Sequence, residues 1–178
     1  MSRIAAGYTI VLCDGSRLPQ LFALRARVWI DEGADPAAFP NGSWSNDRDL
    51  ERTHWVVLCG DDIVGGASMG FHSSLSQLEE AEAYRQVPTP PPGIIAAPAR
   101  VVIDRRHRGR GLADALLDVQ DQAAREAGAV LSVRQASPAM KRLLLRRGWR
   151  DHGPAPSDSR FPGVDFSVMS RTYDGAAG

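Results

Sequence analysis

Apolar and polar positions change their period several times along this chain, and each change marks an element. Tyr8–Cys13 is a short β-rich run closed by Asp14-Gly15-Ser16. Leu18, Leu21, Phe22, Arg25 and Val28–Ile30 then fall at helical spacing and predict a first helix. His54–Cys59 and Ile63–Phe71 are apolar runs joined by Gly60-Asp61-Asp62, the short polar link that an antiparallel hairpin needs. Ala99–Ile103 reads as the next strand, and Leu112, Ala115, Leu116, Val119 and Ala123 line one face of a helix that ends at Gly128. Val130–Val133 is a short strand. Ser137-Pro138 couples an N-cap to a proline at the first helical position, opening a helix through Arg147 that stops at Gly148. Trp149–Gly153 and Val164–Arg171 are the last two strands.

Two stretches interrupt this order. Asp31–Asp49 is rich in Gly, Pro, Asn, Asp and Ser with Phe39 and Trp44 interleaved, which predicts an ordered loop able to cover a substrate. Ser73–Pro98 reads as an inserted excursion, with helical composition over Leu75–Tyr84 and then four prolines between Val87 and Gly93. No internal repeat is present. The sequence of elements calls for a mixed sheet flanked by helices, of α/β (α+β) class. A length of 178 residues with 43% hydrophobic content suits a single domain over residues 1–178.

Charge narrows the partners. Acidic and basic residues balance at 21 each, which removes the electrostatic case for nucleic acid or a membrane surface. All the basic residues are arginine except Lys141. Cys13 and Cys59 sit in strand-like runs and read as reduced, packed thiols. Met1–Leu12 lacks the basic start and apolar run of a secretion signal, and no stretch is long enough to span a bilayer, so a soluble cytoplasmic protein is expected. Asp174–Gly178 should fray. No metal is expected. The exposed strand edges and the apolar last strand, Val164–Met169, are what a homodimer would use.

The chemistry concentrates in Val101-Val102-Ile103-Asp104-Arg105-Arg106-His107-Arg108-Gly109-Arg110-Gly111-Leu112-Ala113. A strand ends there, glycines allow unusual dihedrals and close approach, and the following helix offers unpaired N–H groups at its positive end. That is an anion cradle, and Arg106, Arg108 and Arg110 around it suit a pyrophosphate. A P-loop would need lysine after the second glycine, and a dinucleotide turn would need glycine where Asp114 stands; both fail.

Arg106-x-x-Gly109-x-Gly111-Leu112-Ala113 resembles motif A of the GNAT acyltransferases, and Ala139–Trp149 resembles their motif B, the two covering about residues 99–150. The resemblance implies a GNAT fold with a mostly antiparallel, six- to seven-stranded sheet whose fourth and fifth strands splay apart. It implies acetyl-CoA, or another acyl-CoA, as co-substrate and direct acyl transfer to a small-molecule amine. Val102 and Ile103 match the strand that pairs with pantetheine, the amides of Arg108–Ala113 match those that hold the pyrophosphate, and Ser137 matches a polar contact to the pantetheine arm.

The pattern is broken at both titrating positions: Leu144 stands where the family often has its tyrosine acid and Ala97 where it often has a glutamate base. Asp49, Glu51, His54 and His72 are the substitute bases, and Arg100 and Trp44 the candidates for substrate contact. Three other readings compete. Arg25-x-Arg27-Val28-Trp29, with Trp44, Asp47 and Asp49, resembles the N-terminal half of acyl-homoserine-lactone synthases. The missing acid and base would suit a catalytically silent CoA-binding module. The basic stretches Arg100–Arg110 and Arg134–Arg150 would suit nucleic acid, but the first has no interleaved aromatic residue.

Overall fold

The computed structural model describes residues 4–173; the end expected to fray, 174–178, lies outside the described residues. The elements run β1 (Tyr8–Leu12), α1 (Leu18–Asp31), β2 (Thr53–Cys59), β3 (Asp62–His72), β4 (Ile94–Ile103), α2 (Leu112–Glu126), β5 (Ala129–Ala136), α3 (Pro138–Arg146), β6 (Arg150–Pro154) and β7 (Ser167–Thr172). Neighbouring strands hydrogen-bond in the order β1-β2-β3-β4-β5-β7-β6, a seven-stranded mixed sheet. The chain forms two compact units. One holds the described residues up to Met69 with Arg100–Gln120 and Ser159–Pro162, and the other holds Gly70–Ala99, Asp121–Asp158 and the described residues from Gly163 onward.

In the first unit β1 and β2 pair antiparallel from Tyr8↔Cys59 to Leu12↔Trp55, and β2 turns into β3 through Gly60-Asp61, with Cys59 opposite Asp62. Gly60 takes φ +60, the left-handed geometry this tight link requires. Helix α1 turns Leu24 and Val28 onto Val102 of β4, with Trp29 and Ile63 packed at the margin. It approaches so closely that a Cβ at Gly66 would collide with Leu21, so this glycine sets the packing distance between helix and sheet. Gly65 instead meets neighbouring strands, where a Cβ would stand 2.7 Å from Ile103 Cδ1 of β4. The Asp31–Asp49 loop is ordered as expected, folding into 3₁₀ turns at Pro36–Ala38, Pro40–Gly42 and Asp47–Glu51.

The second unit packs Ile95 and Ala97 of β4 with Leu131 and Val133 of β5, Val168 of β7 and the excursion residues Leu78, Ala83, Tyr84 and Val87. The excursion contains 3₁₀ turns at Leu75–Gln77 and Ala81–Tyr84 rather than a helix, because Glu80 between them sits at φ +57. Strand β4 begins at Ile94, five residues before the expected start, and runs through Pro98. Its parallel pairing with β5 extends from Ile94↔Ala129 to Ala96↔Ser132 and ends there, so Pro98 forfeits no bond to β5. The two strands part beyond Ala96, while β5 continues to Ala136 against β7.

Candidate functional site

The turn after β4 is built by its own sequence. Asp104 donates its main-chain N–H to the Val64 carbonyl at 2.8 Å and accepts from the Arg106 N–H at 3.0 Å, closing a 3₁₀ turn over Arg105–His107. Gly109 and Gly111 follow at φ +75 and +74, and α2 opens with Ala115 N–H bonded to the Gly111 carbonyl at 3.0 Å. Both glycines are exposed, and a Cβ built on Gly109 would meet no protein atom within 4 Å. The bend is therefore open on the side from which an anion would approach the first amides of α2, and its residues fit a phosphate-bearing group.

The arginines of the turn hold protein groups. Arg106 grips Asp104 through Nε at 3.1 Å and Nη2 at 2.9 Å, and Arg27 adds a contact at 3.2 Å. The Arg106 guanidinium holds the Asp104 carboxyl far below the usual carboxylate range. Arg108 donates Nε to the Ile103 carbonyl at 3.2 Å and Nη1 to Glu32 at 2.6 Å. Arg110 lies over the Tyr8 ring at 5.7 Å, and the Tyr8 hydroxyl meets His107 Nδ1 at 3.0 Å. The turn is thus braced by its own side-chain pairs, and the backbone at Gly109 and Gly111 is exposed beside them.

Val102 and Ile103 are buried at the end of β4. Leu112 is buried and Ala113 half-buried at the start of α2. Ser137, in the second unit, accepts from the Met140 N–H at 3.4 Å and caps α3. The two positions that break the family pattern are core residues: Leu144 is fully buried on α3, and Ala97 packs among Ile95, Leu131 and Val133.

A second constellation gathers residues far apart in the chain. Arg25 emerges from the buried face of α1, fully enclosed, and its Nη1 donates to Asp49 Oδ1 at 2.9 Å. Its Nη2 lies 2.9 Å from His54 Nδ1, which must accept; the other ring nitrogen, Nε2, then carries the proton and donates to the Asp49 carbonyl at 2.7 Å. Burial holds His54 below its ordinary pKa and therefore neutral, and the same desolvation lowers Arg25 to about 10 against the pull of Asp49. Asp49 itself stays below the carboxylate range because Arg25 and Arg100 outweigh its burial. Arg100 reaches it from β4 with Nη1 at 4.0 Å from Oδ2, and its guanidinium stacks on Trp44 at 4.8 Å. Trp44 belongs to an aromatic group with Trp29, Phe39 and Phe161, whose ring centroids stand 4.4–6.4 Å apart.

Three of the six catalytic or substrate candidates, Asp49, His54 and Arg100, thus join one buried cluster, with Trp44 stacked on it. Glu51 is exposed at the end of the 3₁₀ turn before β2. His72 lies in the second unit, lining a cavity of about 580 Å³ with Phe71, Ser73, Gln77, Pro92, Gly93 and Ile94. Arg25, the hub of the cluster, is not among the site candidates; its signals are a charge on the apolar stripe of α1 and its place in the Arg25-x-Arg27-Val28-Trp29 pattern. Among the described residues no helix is long and apolar enough to cross a membrane.

The sequence model of the Acetyltransferase (GNAT) family matches residues 18–149. No curated protein matches the chain. Among solved structures, yncA of Salmonella typhimurium with its cofactor acetyl-CoA is similar at 17% identity and a TM-score of 0.66, over 97% of this chain and 98% of that one. FeeM, an N-acyl amino acid synthase from uncultured soil microbes, is similar at 12% identity and a TM-score of 0.65, over 97% and 92%. Naa50 of Arabidopsis thaliana, in complex with the bisubstrate analogue CoA-Ac-MVNAL, is similar at 12% identity and a TM-score of 0.64, over 94% and 100%.

Proposed function

The chain belongs to the acetyltransferase (GNAT) family, and on that premise we propose that it binds acetyl-CoA at the turn after β4 and transfers the acetyl group to a small-molecule amine. The carrying observation is the exposed bend with Gly109 and Gly111 both left-handed at the opening of α2. Acetyl-CoA would supply the acyl group as an activated thioester. The amides from Arg108 to Ala113 would hold its pyrophosphate, as the structures with yncA's acetyl-CoA and Naa50's CoA analogue support by fold. Arg106 and Arg108 act by keeping that bend in shape through Asp104 and Glu32.

Transfer also needs a proton taken from the acceptor ammonium. Leu144 and Ala97 cannot exchange one, and the Asp49 and His54 lone pairs already serve Arg25 and the main chain. This favours Glu51 and His72, directly or through water, as the groups that accept the proton. Positioning of the two reactants supplies much of the remaining rate.

A second reading has its own observation. Arg25, Trp29, Trp44 and Asp49, four of the residues that resemble the acyl-homoserine-lactone synthases, all lie in the cluster around Arg100 and its aromatic cover. FeeM, of similar fold, is an N-acyl amino acid synthase. On this reading a longer acyl chain replaces acetyl. The deciding experiment follows CoA or carrier thiol release from acetyl-CoA and from long-chain acyl donors with a panel of amines. Acetyl-CoA preferred supports the first reading, a long-chain donor preferred supports the second, and binding without turnover on any amine leaves a silent module.

A further inference from the structure

Of the arginines at the bend, Arg106 is matched by Asp104 and Arg108 by Glu32. Arg110 is the exception: among the described residues no carboxylate pairs with it, and its guanidinium stands over the Tyr8 ring, 5.7 Å from the centroid. An aromatic face holds a cation in place without neutralising it. The charge of Arg110 is therefore fixed in direction and not cancelled by an ion pair. Its backbone lies between the two left-handed glycines, in the exposed stretch that would meet a phosphate.

Tyr8 fixes a second group. Its hydroxyl lies 3.0 Å from His107 Nδ1, and the two rings meet edge to face at 5.8 Å. With the hydroxyl donating to Nδ1, the ring proton sits on Nε2, and that nitrogen becomes a donor. The main chain of His107 is tied down as well, its N–H donating to the Asp104 carbonyl at 2.9 Å. One side chain of β1 thus gathers an imidazole and a guanidinium from the turn, and β1 is an edge strand, three places from β4 in the sheet.

That placement gives the site a direction. A donor gripped at its pyrophosphate is held near its middle, so its thioester arm leaves on one side and its ribose on the other. On the reading above the arm runs along Val102 and Ile103 of β4, and the ribose leaves on the side of β1, where Arg110 and His107 stand. In CoA that ribose carries a phosphate monoester, with close to two negative charges and three acceptor oxygens. A guanidinium and an imidazole N–H are suited to such a group.

We propose that Tyr8 positions Arg110 and His107 to bind the 3′-phosphate of the donor, and that Arg110 is the residue by which the protein tells CoA from its dephospho form. This rests on the reading of the bend as the pyrophosphate site and extends it to the nucleotide end of the donor. If Arg110 instead served the pyrophosphate, its loss would weaken both forms alike.

Titration calorimetry with CoA and with 3′-dephospho-CoA reads the preference directly, since the two share the pyrophosphate and differ only in the monoester. The wild-type protein should favour CoA by at least about fivefold at low salt, which allows for the screening of an exposed guanidinium. Arg110→Gln should bring the two affinities within about twofold of each other and leave that for dephospho-CoA at its wild-type value, which shows that the bend survives. Tyr8→Leu should lower the preference in part, because Arg110 remains but is no longer held. Tyr8→Phe keeps the ring under Arg110 and should retain more of the preference than Tyr8→Leu. A wild type that binds both forms alike, or an Arg110→Gln loss equal for both, overturns this inference and leaves the bend as the pyrophosphate site. Full preference in a Tyr8→Leu protein that binds dephospho-CoA normally overturns the role of Tyr8. Binding of neither form by the wild type overturns both readings.

Discussion

The turn after β4 and the cluster around Arg25 both set arginines on a buried carboxylate, but the arginines themselves stand on opposite sides of the solvent boundary. Asp104 is held by Arg106, whose side chain is 78% exposed, while Asp49 is held by Arg25, whose side chain is 0% exposed. Charges at the rim are screened by water and salt, and their pairing mainly fixes geometry. In the interior each charge has given up its hydration, and removing one partner strands the other. The turn should therefore lose its exposed arginine at little cost to the fold, whereas the cluster should not. The anion binding proposed for the first would rest on backbone dihedrals, and the stability of the second on a balance of charge.

The sharpest test of that contrast is Asp49→Ala. It leaves Arg25 and Arg100 facing each other without their shared counter-charge, and breaking a buried pair from one side costs about 3–5 kcal/mol. Urea unfolding should show the loss as a lower midpoint with an unchanged slope. Asp49→Asn, which keeps shape and one acceptor, should lose less. A loss below about 1 kcal/mol for the alanine variant, typical of an exposed pair, would place both regions in the same class.

Gly109→Val probes the other side. Its φ of +75 is strained for a β-branched side chain, at about 1–2 kcal/mol, although an added Cβ meets no protein atom within 4 Å. Affinity for acetyl-CoA should fall by more than about tenfold, or 1.4 kcal/mol, because the side chain fills the approach to the amides. Calorimetry reads the affinity and thermal unfolding reads the fold. Unchanged binding would remove the bend from the site.

How much of this was legible follows the same division. Gly109 and Gly111, Gly60-Asp61 and Ser137-Pro138 each specify a local backbone geometry, so the turn, the hairpin and the cap of α3 could be read from neighbouring residues. The excursion misled because its helical composition hides the left-handed Glu80, and four prolines concealed the apolar run from Ile94 that begins β4. Asp49, His54, Trp44 and Arg100 could each be singled out for their chemistry. Their meeting on Arg25 joins residues 24 and 29 positions away, and no local period encodes that. The pairing of Arg106 with Asp104 is not legible either, since a guanidinium beside a glycine-rich turn reads equally well as a ligand for phosphate.

A smaller effect is expected from pH. Burial lowers the His54 pKa in the fold, so the unfolded chain binds the proton more readily and stability falls as pH drops below about 6.5, the unfolded value. His54→Gln should flatten that slope in chemical unfolding measured across the window. His152, also lowered by burial, preserves part of it. A slope of the opposite sign in the wild type would mean that His54 is charged in the fold and that Arg25 is not its donor.

The smallest effect belongs to the rim. Glu32 and Arg108 are each nearly half exposed and meet at 2.6 Å. Such pairs contribute roughly 0.2–1 kcal/mol, less at high salt. Glu32→Gln should therefore leave the unfolding midpoint almost unchanged. Arg108 would still be held by the Ile103 carbonyl, so the bend should keep its shape and acetyl-CoA affinity should change by less than about threefold. The residual difference should vanish as sodium chloride is raised, since the pair is screened while the amides of the bend remain in place. A Glu32→Gln loss that persists in salt would instead show that the α1 end of the pair helps set the backbone geometry, and the rim would then act as the interior does.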